Sequence, residues 1–395
     1  MKQIIIANAR YWLNYLETAP KDAPIPEPDI RGMAQAMEAV MEIPEAWPLI
    51  QSLALALHPY MEQRGYWTEW ERFLQILVAR ARQQADQMAE AELLAMQGQM
   101  QYHRGGYQAA VVSYHRVRSL CRQTDDNTGY ARAISNLAEL YQRQGHFHRA
   151  EILCQEAIAL FEDLGDTTRL ARTENHLGLV YYFQERLSEA MPHLIRAQTL
   201  SKQVNDCYSL ANALCNLGLL HRRTGNPEMA LEYFKKAIHN YQMAGDEIHV
   251  ARTQLSVGNI YLDQSDWLRA ERAYSQAETT LKHLGDGLGL ANAHHNLGLV
   301  YTRLENWAEA QACFEQAMEQ WQRLESTWNL ANTQSDLANL HLICGRITQA
   351  QSCLDGAWDL VGERQEAIYD SLKRELLERR QAMCRLTGNK QDTSR

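Results

Sequence analysis

Residues Asp166–Asn205 read DTTRLARTENHLGLVYYFQERLSEAMPHLIRAQTLSKQVN. Two helical patterns lie inside this stretch, and its key letters return every 40 residues through most of the chain. Alanine recurs at Ala110, Ala150, Ala190, Ala230, Ala270, Ala310 and Ala350. A second series runs Ala157, Ala197, Ala237, Ala277, Ala317 and Ala357, with Val117 ahead of it. A third runs Gly98, Ala138, Gly178, Gly218, Gly258, Gly298 and Ala338, and a fourth is alanine at every step from Ala91 to Ala331. Phased small residues let two helices approach closely, and larger residues between them fill the gap. Those larger residues are Leu137, Leu177, Leu217, Val257, Leu297 and Leu337 on the first helix of each pair. On the second they are Cys154, Leu194, Phe234, Tyr274, Phe314 and Leu354. The expected fold is all-α, an α-solenoid of antiparallel helix pairs.

The turns carry their own signals. Asp86, Asp126, Asp166, Asp206, Asp246 and Asp286 are spaced to N-cap the first helix of each pair, and Ser326 continues the series. Gly165, Asn205, Gly245 and Gly285 precede them, where a helix end calls for the left-handed conformation. Gly65, Gly105, Gly145, Gly225 and Gly345 mark the turn inside each pair, and Pro227 is placed to begin a helix.

Working outward, residues 3–17 form an amphipathic pattern with Ile5, Ala9, Trp12, Leu13 and Leu16 on one side. Pro20, Pro24, Pro26 and Pro28 make Ala19–Pro28 an extended loop. A second helix is expected over Ile30–Ile43, stopped by Pro44, then helices over Trp47–Arg64 and Trp67–Gln83. At the far end, residues 363–386 read as one more helix, with Ile368, Leu372, Leu376 and Met383 on one face. The expected division is a degenerate helical pair over residues 1–46, an array of about eight repeats over 47–361, a capping helix over 362–386 and a disordered tail over 387–395.

A net charge of −9 argues against general nucleic-acid binding, which needs basic surface. The eight cysteines form no C-x-x-C pair and read as buried thiols in a reduced compartment. The apolar run Ile4–Ile6 is too short for a signal peptide, and no stretch is apolar for long enough to span a membrane. The expected location is the cytoplasm.

The spacing Leu177-Gly178, Tyr181, Ala190, Leu194, Ala197 resembles the tetratricopeptide repeat. Leu297-Gly298, Tyr301, Ala310, Phe314, Ala317 and Leu217-Gly218, His221, Ala230, Phe234, Ala237 match it best. The resemblance covers about residues 47–361, with a period of 40 where about 34 is usual. Similar long repeats occur in LGN/Pins-type adaptors, in the sensor regions of bacterial STAND ATPases and in TPR–CHAT proteins. No phosphate-binding loop, helix-turn-helix or protease domain accompanies the array in this sequence. The resemblance implies a right-handed superhelix whose first helices line a concave groove.

In such families residues two and six of the first helix face the groove. Here they are Arg132 and Asn136; Arg172 and His176; Asn212 and Asn216; Arg252 and Ser256; Asn292 and Asn296; Asn332 and Asp336. Each pair is four apart and shares a helical face. Asn donates and accepts, and Arg grips carboxylates bidentately, so the ladder suits an extended peptide backbone. Against this stands a reading in which the ladder only bonds neighbouring repeats together.

Other chemistry is weakly signalled. His294 and His295 are adjacent, point about 100° apart on a helix and have no neighbouring ligand set, so a packing or groove role is expected over a metal. His146 and His148 fit a solvated turn. GDGLG at Gly285–Gly289 follows a helix, not a strand, and occupies the recurrent turn. No catalytic grouping stands out, and neither enzymatic activity, cofactor nor metal is expected. The expected function is a protein-binding adaptor or regulatory subunit in bacterial signalling or defence. Its partner would be an extended or helical segment of another protein, with a separate effector subunit as one candidate. The alternative is nucleic-acid or nucleotide sensing through Arg132, Arg172, Arg222, Arg223 and Arg252. Self-association through either terminal region is left open.

Overall fold

In a computed structural model the described residues are 1–18, 26–63, 67–364 and 369–387. The Gly65 turn, most of the proline-rich loop, Ile368 and the tail beyond Thr387 lie outside them. All regular structure among the described residues is helical.

The chain divides into two units, Met1–Glu185 and Arg186–Arg395. The first holds α1 (Lys2–Thr18), α2 (Glu27–Met41), α3 (Trp47–Gln63), α4 (Trp67–Gln83), α5 (Gln87–His103), α6 (Tyr107–Gln123), α7 (Asn127–Arg143), α8 (Phe147–Asp163) and α9 (Thr167–Phe183). A 3-10 turn at Pro44–Ala46 joins α2 to α3. The second unit holds α10 (Leu187–Gln203), α11 (Cys207–Arg223), α12 (Pro227–Met243), α13 (Glu247–Asp263), α14 (Trp267–Leu284), α15 (Gly287–Arg303), α16 (Trp307–Arg323), α17 (Thr327–Ile343), α18 (Ile347–Val361) and α19 (Asp370–Thr387). Within each unit the helices pack mainly on their sequence neighbours, as stacked helix pairs require, except that α3 packs most on α1.

The alternation of helix and tight turn follows from local chemistry. Asp86, Asp126, Asp166, Asp206 and Asp246 each accept a bond from the backbone N–H three residues on. That satisfies one of the donors a helix start leaves unpaired. Asp286 and Ser326 occupy the same N-cap position without the side-chain capping bond; Asp286 is aligned on Arg252 instead, and Ser326 Oγ accepts from Asn329. Gly165, Asn205, Gly245 and Gly285 adopt positive φ as their turn position demands. Less expectedly, Glu185, Ser265 and Glu305 take the left-handed conformation that Gly105, Gly145, Gly225 and Gly345 take in the other intra-pair turns. At Ser265 and Glu305, packing of the two flanking helices overrides the local preference.

The phased small residues are the places where helices touch. Ala110, Ala150, Ala190, Ala230, Ala270, Ala310 and Ala350 are all fully buried. A Cβ added at Gly98, Gly218, Gly258 or Gly298 would meet the ring of Tyr114, Phe234, Tyr274 or Phe314 at 2.9, 2.7, 2.5 or 2.7 Å. Where the facing residue is Cys154 or Leu354, the same register carries Ala138 or Ala338, and the alanine is buried. Ring size and Cβ trade space within one chain.

At the amino end Ala9 and Leu16 are buried and Trp12 lies against Gly32. At the carboxyl end Leu372, Leu376 and Met383 join Ala331, Ala338, Leu354 and Val361 in one apolar cluster. Of the cysteines only Cys121 and Cys154 are fully buried; the other six are half-buried. Burial pushes the Cys154 thiol far above its usual range, so it behaves as a small hydrophobe.

Candidate functional site

Helix starts reset the count along the ladder. Arg132 and Asn136 are the sixth and tenth residues of α7, since the Asp126 cap begins the helix at Asn127. The same face therefore extends one turn further toward the N-terminus than the ladder did. There it carries Met88, Tyr208 and Leu288, each at least 40% exposed. These apolar residues were missed because only polar positions were counted. Their 40-residue register was the available signal.

In the first unit Arg132, Asn136 and Arg172 are exposed and His176 is half-buried. His176 Nε2 lies 3.8 Å from Glu139, a residue of the same face that the sequence reading passed over. Glu139 also accepts from the Tyr102 hydroxyl, and from Arg143 at 3.4 Å. Burial works to raise the Glu139 pKa, but His176, Tyr102 and Arg143 outweigh it and hold the carboxyl below its usual range. The result is an anchored carboxylate on the face that carries Arg132, Asn136 and Arg172, where Glu92, in the register of Arg132, is a second acid.

In the second unit many ladder residues are engaged with their neighbours. Asn212 accepts from Tyr241 at 2.7 Å, and Asn296 donates to Asn259 at 3.0 Å. Asn259 also accepts from Tyr274 at 2.7 Å, and Asn292 donates to the Leu288 carbonyl at 2.9 Å. Arg252 reaches Asp286 of the next pair with Nε and a terminal nitrogen, at 2.7 and 2.8 Å. Burial would raise the Asp286 pKa, but the Arg252 hydrogen bonds and charge prevail and keep it ionised. Ser256 and Asn332 are half-buried. Asp336 is met by Arg379 from α19 at 2.8 Å, and His295 stands 3.6 Å away. The ladder is thus of two kinds, residues that brace one pair on the next and residues that remain at the surface.

His294 and His295 go separate ways, as adjacent helical positions must. His294 bonds Glu278 at 3.1 Å, and His295 contacts Thr333 at 3.0 Å. Burial lowers the His295 pKa, keeping it neutral beside Asp336. Among the described residues no group of three or more potential ligands is placed to hold a metal, and no helix is long and apolar enough to cross a membrane.

A family model described as tetratricopeptide repeat matches residues 87–163, 169–243 and 289–357, more than half of the chain. No curated protein matches the sequence. Among solved structures, a STAND protein with a tetratricopeptide repeat sensor from Pyrococcus horikoshii aligns over 95% of this chain and 55% of its own, with TM-score 0.63 and 14% identity. The apo quorum sensor NprR from B. thuringiensis aligns over 91% of this chain and 99% of its own, with TM-score 0.60 and 14% identity. A Rap protein complexed with Competence and Sporulation Factor aligns over 88% and 100%, with TM-score 0.56 and 15% identity. At these identities the likeness is one of fold. The repeats matched by the family model make this chain a member of the tetratricopeptide repeat family.

Proposed function

We propose that the chain is a protein-binding scaffold without catalysis of its own, taking an extended segment of a partner protein along the first-helix faces. The observation that carries this reading is the same register of exposed side chains in each unit taken by itself: Arg132, Asn136 and Arg172 with apolar Met88 in the first, and Asn292 with apolar Tyr208 and Leu288 in the second. Asn satisfies both backbone donors and acceptors, Arg takes carboxylates, and the apolar positions supply anchors. The structural neighbours support it, since one was solved with Competence and Sporulation Factor bound and another is a quorum sensor.

Affinity capture from the source organism's extract tests this. Wild type is compared with the Arg132→Ala/Asn136→Ala/Arg172→Ala/Asn292→Ala variant, after matching circular dichroism shows that both are folded. Loss of a specific protein from the variant's eluate is the expected result. Recovery of the same proteins in equal amount, or recovery of nucleic acid alone, overturns the reading.

A further inference from the structure

Residues 101–150 carry seven arginines against three carboxylates, in a chain whose net charge is −9. The excess gathers on the side of α7 away from Arg132. Tyr141 is nine residues on from Arg132, about 180° around the helix. Its hydroxyl meets His115 Nε2 of α6 at 2.9 Å, and the Arg149 guanidinium of α8 lies over its ring at 5.7 Å. Arg118 and Arg149 both act on His115: burial lowers its pKa first, and the two guanidinium charges lower it further. The Arg118 charge also acts on Tyr130, whose ring carries Arg122 at 4.9 Å.

The carboxylates bordering this surface are already committed. Glu90 is shared by Arg82 at 2.8 Å and Arg116 at 3.2 Å, which leaves one positive charge in surplus. Glu156 accepts from the Tyr130 hydroxyl at 2.6 Å. Among the described residues neither Arg118 nor Arg149 has a carboxylate partner.

The equivalent place three repeats on shows what is particular here. Tyr261 and Arg269 repeat the ring and guanidinium at 4.9 Å, beside a shallow cavity of about 270 Å³. There Asp266 neutralises Arg269 at 2.6 Å, and Ile238 stands where Arg118 stands. In the first unit the Asp266 position is His146. The scaffold is the same, but the acid is gone and a second arginine has been added.

We propose that this surface, built from His115, Arg118, Tyr141 and Arg149, is a second docking site that binds an acidic segment of a partner protein. Guanidinium groups pair carboxylates bidentately, and Tyr141, buried beneath them, holds His115 and Arg149 in place. Nucleic acid fits less well. A phosphate backbone needs a long basic track, and this surface ends at Glu90 and Glu156 in an acidic chain.

The probe is a fluorescein-labelled twelve-residue peptide of glutamate interspersed with tyrosine, titrated with the full chain at low ionic strength. The comparators are a lysine-for-glutamate peptide and a single-stranded oligonucleotide. Binding of the acidic peptide is expected, weakening as salt rises. Arg118→Ala/Arg149→Ala should weaken it about tenfold or more, an expectation for losing two charge-assisted contacts. Arg132→Ala/Asn136→Ala/Arg172→Ala/Asn292→Ala should leave it unchanged, which separates this surface from the first-helix faces. Circular dichroism confirms that each variant is folded, and a second variant, Arg149→Lys, should bind between the two. The proposal is overturned if wild type fails to bind the acidic peptide, if the double variant binds it equally, or if the oligonucleotide binds more tightly.

Discussion

Arg252 and Asp286, 34 residues apart in sequence, form a two-point bridge from one helix pair to the next, at 2.7 and 2.8 Å. The carboxylate is 7% exposed and the guanidinium 38%. A residue placed for ligand binding by its register is here part of the scaffold. The same register leaves Arg132 exposed because its counterpart acid, Asp166, is bonded by Arg169 of its own helix.

Replacing Arg252 by Ala leaves Asp286 buried without its main partner. The expected loss is about 1–2 kcal/mol, at the low end for a charged hydrogen bond because the guanidinium is partly solvated. Asp286 has a depressed pKa, so its contribution is complete above its ordinary value of 3.8 and is lost as pH falls through the lower folded value. Urea midpoints of wild type and variant should differ by a constant amount from pH 7 to about pH 4.5 and converge below that. A gap that closes already at neutral pH would contradict the bridge.

Gly298 and Phe314 test the exchange between Cβ and ring. Gly298→Ala places a methyl 2.7 Å from the Phe314 ring and should cost about 1–3 kcal/mol. Combining it with Phe314→Leu recreates the Ala338–Leu354 pairing found elsewhere in the chain. Thermal melts should show the double variant less destabilised than the sum of the two single changes. Simple additivity would mean that the two positions do not compete for space.

Glu305 holds φ +61° in a turn where four other pairs use glycine. Glu305→Gly relieves that strain at some entropic cost, and a net stabilisation of about 0.5–1 kcal/mol is expected. Gly225→Ala, at φ +76° in the equivalent turn, should shift the denaturation midpoint the opposite way. Destabilisation by Glu305→Gly would show that the side chain contributes more than the backbone loses.

Arg379 ties α19 to α17 through Asp336 at 2.8 Å and the Ser335 carbonyl. Arg379→Ala strands a mostly buried carboxylate, and about 1–3 kcal/mol should be lost at this end of the unit. Hydrogen exchange should rise across Asp370–Thr387 while α11–α14 keep their protection. Unchanged exchange in α19 would mean that Leu372, Leu376 and Met383 hold the helix unaided.

The period, the helix pairs and their contact surfaces were legible from residue order alone. Small side chains at fixed phase permit only one close approach between neighbouring helices, and Asp and Gly at fixed offsets start and stop each helix. Even the exchange of Gly298–Phe314 for Ala338–Leu354 can be read without coordinates. The role of each ladder residue could not be. Whether an arginine braces or stays exposed depends on which acid from the following pair reaches it, as with Arg252 against Arg132. The pairing of Asp336 with Arg379 depends on the last helix folding back across 43 residues. The left-handed turns at Ser265 and Glu305 likewise contradict local preference and exist because two packed helices fix the ends of the turn. Residue type and spacing determined the scaffold, since its contacts repeat in every unit of sequence. Tertiary structure decided the partners, because the choice among nearby charges is made by distances across repeats that no single repeat contains.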